Sequence, residues 1–330
     1  MNDAECITAL RNGEKPDKVP FFAFGGNGFA IISNNQSLVT IYNDFPTTLK
    51  YYRETALRYG WLYTPYLAYA SMGAWEMGGD IKWPDGEFSQ APSILKHPVT
   101  SPDQASDLEI PDVPQAGMVP RQIEFYKQVL SEADDVNAWK LTCQIEGAFT
   151  FASNIAGAAL FSKWLIKRPD AAHQLLGKAV DFLDCLARHI KTLFGTEGIL
   201  LFGGEPAASN QLISPKMLEE FALPYTRELH TRLLEMGFRS IFKHICGDQN
   251  LNLPHWGTVA MGRPGFVSFG HEVDLERAAE YFPEDVIVGN LNPTLIQCGS
   301  VEEVYKASNK ILSKANCQKC GYSTCMAFAV

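Results

Sequence analysis

The sequence predicts a single-domain (β/α)8 barrel. Three observations carry that expectation. Seven apolar, strand-like runs occur before residue 290, and helical patterns separate most of them. Such alternation implies a parallel sheet. Seven or eight units of this kind within 330 residues favour a closed barrel over an open sheet. The polar candidates Asn27, Glu146, Glu205, His244, Cys246, Glu272 and Asn290 each follow a strand-like run, and strand C-termini are where barrel sites lie.

Residues 3–12 read as a short amphipathic segment with Ile7 and Leu10 on one face. Residues 19–24 are the first buried strand. They run into Gly25-Gly26-Asn27-Gly28, read as a glycine-rich loop or a substrate loop. No helix pattern opens directly from it, so it is not a dinucleotide fingerprint. Asp44-Phe45-Pro46 starts a helix that Gly60 stops. Residues 61–66 form the second strand, and residues 80–115 a turn-rich excursion. A helix at 119–133 precedes the third strand, 139–144, which ends at Glu146-Gly147. Helical stretches cover 148–165 and 169–194. The strand 199–202 ends in Gly203-Gly204-Glu205-Pro206. Ser214 and Pro215 open a helix whose stripe is Leu218, Phe221, Tyr225, Leu229 and Leu233. The strand that Ser240-Ile241-Phe242 leads into, carrying His244 and Cys246, comes next, then strands at 266–269 and 286–288, with helices near 274–281 and 301–312.

Composition is that of an ordinary soluble domain, 46% apolar and 20% charged. The net charge of −9 argues against a nucleic-acid partner. No apolar run of about 18 residues offers a membrane span. The acidic start lacks a signal-peptide core, so a cytoplasmic location is expected, with the eight cysteines outside disulfides.

The stretch richest in chemistry is Phe242-Lys243-His244-Ile245-Cys246-Gly247-Asp248. On a strand, residues i and i+2 share a face, so His244 and Cys246 can reach one ion. Zn²⁺ takes this mixture of nitrogen and thiolate. Alone, the pair reads first as a satisfied core histidine beside an ordinary buried cysteine, and its place at a barrel strand end brings a metal site level with that reading. Asp248 is expected to cap the next segment and Asn290 to orient its loop. Cys143 and Cys185 are expected to pack.

Several stretches resemble the uroporphyrinogen decarboxylase superfamily, and specifically its corrinoid-dependent methyltransferase branch. They are Pro16–Pro20, Glu146-Gly147-Ala148-Phe149-Thr150, Glu205–Ser209, Ile213-Ser214-Pro215, Phe221–Tyr225, His244–Asp248 and Gly289-Asn290-Leu291-Asn292-Pro293. The resemblance implies the barrel fold. The decarboxylases carry an arginine-containing segment after the first strand for porphyrinogen carboxylates. Here the segment reads Phe24-Gly25-Gly26-Asn27-Gly28, with no arginine to pair with acetate or propionate. The methyltransferase branch instead binds zinc through His-x-Cys and a distant cysteine.

His244 and Cys246 match the first two ligands, and Cys325, 32 residues after Pro293, is the third by spacing. Cys317, Cys320 and Cys298 are the alternates. The resemblance further implies a methylcorrinoid on a partner protein and a small methyl acceptor, a coenzyme M-like thiol or tetrahydrofolate. Glu205 and Glu272 are the candidates to hold the open metal position or handle a proton. Asn27, Glu146 and Asn290 are the substrate-binding candidates.

Residues 1–315 are expected as the barrel and 316–330 as a Cys-rich segment. Cys317-x2-Cys320-x4-Cys325 also resembles the cluster segment of corrinoid iron–sulfur proteins, so an iron–sulfur cluster is the alternative if the chain belongs to a longer protein. Two other readings stand beside methyl transfer: a tetrapyrrole decarboxylase, and a non-enzymatic corrinoid-docking or electron-transfer module.

Overall fold

The computed structural model describes residues 1–23, 26–85, 91–132, 138–314 and 325–326. Its centre is a parallel sheet of six strands in the order β3-β4-β5-β6-β7-β8. These are β3 (Leu141–Gln144), β4 (Ile199–Gly204), β5 (Ser240–Ile245), β6 (Phe266–Phe269), β7 (Val286–Val288) and β8 (Cys325–Met326). The numbering leaves β1 (Asp80–Lys82) and β2 (Ser93–Lys96) for an antiparallel hairpin inside the turn-rich excursion, which periodicity did not reveal.

The first two staves of the barrel are extended segments and not regular strands. Tyr66 bridges to Thr142 of β3 in the parallel sense, and Leu62 N–H donates to the Phe21 carbonyl. Pro20 and Pro65 remove ladder donors from these two segments, which keeps them irregular. With them the wall counts eight staves in chain order, the (β/α)8 architecture.

The barrel interior is one apolar cluster. Phe22, Leu62, Tyr66, Leu200, Phe242, Phe266, Val286 and Val288 pack there together. The rings of Phe22 and Phe242, from staves far apart in the chain, lie 6.4 Å apart. Beneath them the helix Asp3–Arg11 closes the N-terminal end with Ile7 and Leu10. Residues of opposite parity, such as Cys143, Leu201, Ile241 and Ile287, join the larger layer between sheet and outer helices. Among the described residues no helix is long and apolar enough to cross a membrane.

Three local expectations are corrected. A helix, Gly26–Ser33, does open directly from the first stave, because its apolar residues Ala30 and Ile31 are buried against the wall. The helical stretch 148–165 is two helices, Ala148–Ala156 and Ala158–Lys167, broken where Gly157 takes a φ of 83°. Cys185 is exposed on the helix Pro169–Phe194, whose inner face is taken by Phe182, Leu183 and Leu186.

Candidate active site

The end of β5 carries His244 and Cys246, and both line one cleft of about 310 Å³ at the C-terminal edge of the barrel. Strand parity puts them on the same side as inward-facing Phe242. Gly247 then turns the chain with a φ of 77°, and a Cβ there would meet the Gln211 side chain at 2.9 Å. Parallel register sets His244 opposite Ser268 of β6, and the two side chains bond, Nδ1 to Oγ at 3.0 Å. That contact orients the imidazole.

Burial lowers the His244 pKa to about 4, so the ring is neutral, the form that ligates metals. Burial also raises the Cys246 pKa, with Glu272 and Glu146 adding to it. Without a cation the thiol stays protonated; a bound metal would reverse that.

The turn after Cys246 is held from below. Gln249, fully buried, donates from Nε2 to the Cys246 carbonyl at 3.3 Å and accepts from Asn252 and Trp256. Asp248 accepts from the Asn250 backbone and side chain, the capping role expected of it.

The opposite wall comes from the loops after β6 and β7. Phe269, Glu272, Leu291 and Pro293 face the same cleft. Glu272 Oε2 is buried with no hydrogen-bond partner, 3.4 Å from His271 Nδ1. Asn290 donates from Nδ2 to the carbonyls of Gly270 (2.8 Å) and Val273 (2.7 Å). It thereby clamps the loop that presents Glu272, the orienting role expected of it.

Glu146 and Glu205 stand at the ends of β3 and β4 but do not line this cleft. Glu146 accepts from the backbone N–H of Gly147 (3.0 Å) and Gly204 (2.6 Å), and from Gln144 Nε2 (3.0 Å). Burial pushes its pKa up to about 7. Glu205, with no exposed surface, accepts from Phe149 N–H in the first turn of the helix Ala148–Ala156 (2.9 Å). Its second oxygen has no hydrogen-bond partner and lies 3.7 Å from the equally buried Lys243 Nζ. Burial raises its pKa, and Lys243 opposes the rise.

Asn27 is buried in the first turn of the helix Gly26–Ser33, where its Oδ1 accepts from Gly28 N–H. Cys298 is exposed at the end of the helix Pro293–Cys298. The backbone of Cys325 pairs with Ile287 in β8. Its thiol, and Cys317 and Cys320 entirely, lie outside the described residues, as does most of the Cys-rich segment. Among the described residues no three His, Cys, Asp or Glu side chains surround one point. Among the described residues, Cys6, Cys143, Cys185, Cys246 and Cys298 are in no disulfide.

Ser268, Lys243 and Gln249 were missed from sequence. Period-2 alternation from Phe266 would have put Ser268 inward beside His244. A lysine inside an apolar strand was a signal for a buried counter-charge.

Comparison with known proteins places the chain in a family. The family description "Uroporphyrinogen decarboxylase (URO-D)" matches residues 4–327. The methylcobamide:CoM methyltransferase MtbA of Methanosarcina mazei is 28% identical over 232 residues, covering 69% of this chain and 64% of that protein. MtbA of Methanosarcina acetivorans is 29% identical over 230 residues, with the same coverage. A methylated-thiol–coenzyme M methyltransferase of M. mazei is 29% identical over 161 residues, 48% of this chain and 41% of that one. The chain thus spans a little under two thirds of the length of the first of these relatives. A solved methyltransferase from M. mazei shares the fold at a TM-score of 0.75 and 19% identity, covering 99% of this chain and 92% of that one. The named relatives are methyltransferases, in line with the branch that the missing arginine segment indicated. With its match running over nearly the whole chain, this protein belongs to the uroporphyrinogen decarboxylase family.

Proposed function

We propose that the chain is a methyltransferase that moves a methyl group from a methylated corrinoid protein to a small thiol of the coenzyme M type, with zinc at the end of β5. The observation that carries this reading is the pairing of His244 and Cys246 on one wall of an open cleft at the barrel's C-terminal edge. The donor set fits a borderline-soft cation, one imidazole nitrogen and one thiol sulfur. The buried Oε2 of Glu272 in the same cleft, which accepts no hydrogen bond and has His271 Nδ1 as its neighbour, adds an oxygen for a position that exchanges with substrate. Cys325, on β8, is the proposed third protein ligand.

When bound, zinc supplies a thiolate at neutral pH from the acceptor's thiol. The chain's own residues do the rest. Ser268 holds the His244 ring, Gln249 the turn at Cys246, and Asn290 the loop bearing Glu272. Phe269, Leu291 and Pro293 give the cleft an apolar wall that keeps water from the transferring methyl group. Glu272, beside His271, is placed to receive the proton that the acceptor gives up. Among the described residues lining the cleft there is no arginine, which disfavours a porphyrinogen polycarboxylate as substrate.

Metal analysis of protein purified without oxygen tests the reading. One zinc per chain, lost in Cys246→Ala, is the expected result. No zinc, or zinc unaffected by that substitution, sinks it. Loss of methylcobalamin absorbance with coenzyme M, and not with tetrahydrofolate, assigns the acceptor.

A further inference from the structure

At the opposite end of the barrel, three arginines converge on one open pocket of about 330 Å³. Arg11 ends the N-terminal helix, Arg239 precedes β5 and Arg263 precedes β6. Glu284, before β7, is the acidic residue of the lining. The pocket therefore sits at the beginnings of the strands whose ends carry the catalytic cleft. Strands of this length separate the two by on the order of 15–20 Å.

Two of the three guanidiniums are held in place by hydrogen bonds, and among the described residues none of the three has a counter-ion. Arg239 donates from Nε to the Arg263 carbonyl (3.1 Å) and from Nη2 to the Arg11 carbonyl (2.7 Å). Arg11 donates from Nη1 to the Ala138 carbonyl (2.7 Å). These bonds use neutral acceptors, and among the described residues none of the three arginines is in an ion pair. Burial and the neighbouring Arg239 both disfavour the charge on Arg11. Gathering three cations against one carboxylate is unfavourable in a protein whose net charge is −9, where carboxylates are plentiful. A fork of fixed guanidiniums around an open space matches a tetrahedral oxyanion.

We propose that this pocket binds a phosphate-class dianion, as the free ion or as the head of a small phosphomonoester. The ligand sits away from the reacting atoms, so it is not the methyl acceptor. Arg263 and Arg239 supply bidentate contacts, and Arg11 closes the floor.

Isothermal titration of the full chain with inorganic phosphate and with glycerol phosphate, at fixed ionic strength set with chloride, tests this. Saturable binding of one ion per chain is expected, weakened at least tenfold by Arg263→Gln, a side chain with no hydrogen bond among the described residues. Arg239→Lys, which keeps the charge and loses the fork, weakens it further. Arg121→Gln, remote on Trp83, leaves it unchanged. Tighter binding of the ester assigns the ester as source; equal binding assigns the free ion. Thermal melts confirm that each variant is folded. Absence of saturable binding, or binding that survives Arg263→Gln combined with Arg239→Lys, overturns the proposal.

Discussion

Replacing Lys243 by methionine isolates the energetics of the buried pair behind the cleft. Lys243 and Glu205 are 1% and 0% exposed, and their charged atoms lie 3.7 Å apart. Methionine keeps the volume of the lysine stem and removes the charge. Glu205 then has a buried oxygen with neither a hydrogen bond nor a cation. Its cheapest response is to take up a proton.

Relative to an unfolded carboxyl near 4.5, holding that proton costs about 5 kcal/mol at pH 8 and about 1 kcal/mol at pH 5. The sign follows from the raised pKa. Stability tied to Glu205 is complete below 4.5 and falls as the pH rises. The pH 8 figure agrees with the 3–5 kcal/mol, roughly, that breaking a buried pair removes. For a chain of 330 residues it lowers the melting temperature by about 7 °C. Urea denaturation at pH 5 and pH 8 measures both values. Glu205→Gln in the Lys243→Met background should recover most of the loss, since a glutamine oxygen can still accept from Phe149. A loss below about 1 kcal/mol at pH 8, or equal losses at the two pH values, refutes the reasoning.

Three further outcomes are expected. Ser268→Ala removes the hydrogen bond to His244 Nδ1 and should weaken zinc retention by about 10- to 100-fold in chelator competition, without a comparable fall in melting temperature. Gly147→Ala should give insoluble protein in expression trials, because its Cβ would lie 1.4 Å from Glu205 Oε2 and 2.4 Å from the Gly204 carbonyl. Glu146 titrates near 7 against 4.5 unfolded, so its contribution is complete below 4.5 and declines by about 3 kcal/mol by pH 8. Glu146→Gln should flatten that part of the pH–stability curve, read by denaturant titration at several pH values.

Local pattern made the later barrel strands legible. β4, β5, β6 and β7 lie where apolar runs put them, and the two-residue spacing of His244 and Cys246 translated directly into one shared cleft. The first two staves were seen as strands but not as irregular ones, since Pro20 and Pro65 act through ladder bonds with distant partners. The helix at Gly26 was hidden because glycine suppresses helical propensity, and only burial of Ala30 and Ile31 stabilises it. The parts of the site that sequence did not disclose are pairings between elements. Ser268 meets His244 through strand register, and Asn290 reaches back 20 residues to the Gly270 carbonyl. From sequence, Glu205 is a candidate for the open metal position or for handling a proton, with a rim salt bridge as the alternative. Its contacts with Phe149, 56 residues earlier, and with Lys243 turn it inward.

The helix Asp3–Arg11 carries a practical consequence for handling the protein. It is tied down by a capping box between Asn2 and Glu5, and by an ion pair from the Met1 ammonium to Asp17. Its Ile7 and Leu10 are 0% and 2% exposed, so water reaches the apolar interior if the helix leaves. Deleting the helix would remove Arg11 together with the seal. Expression vectors for this chain should therefore keep the whole of Asp3–Arg11.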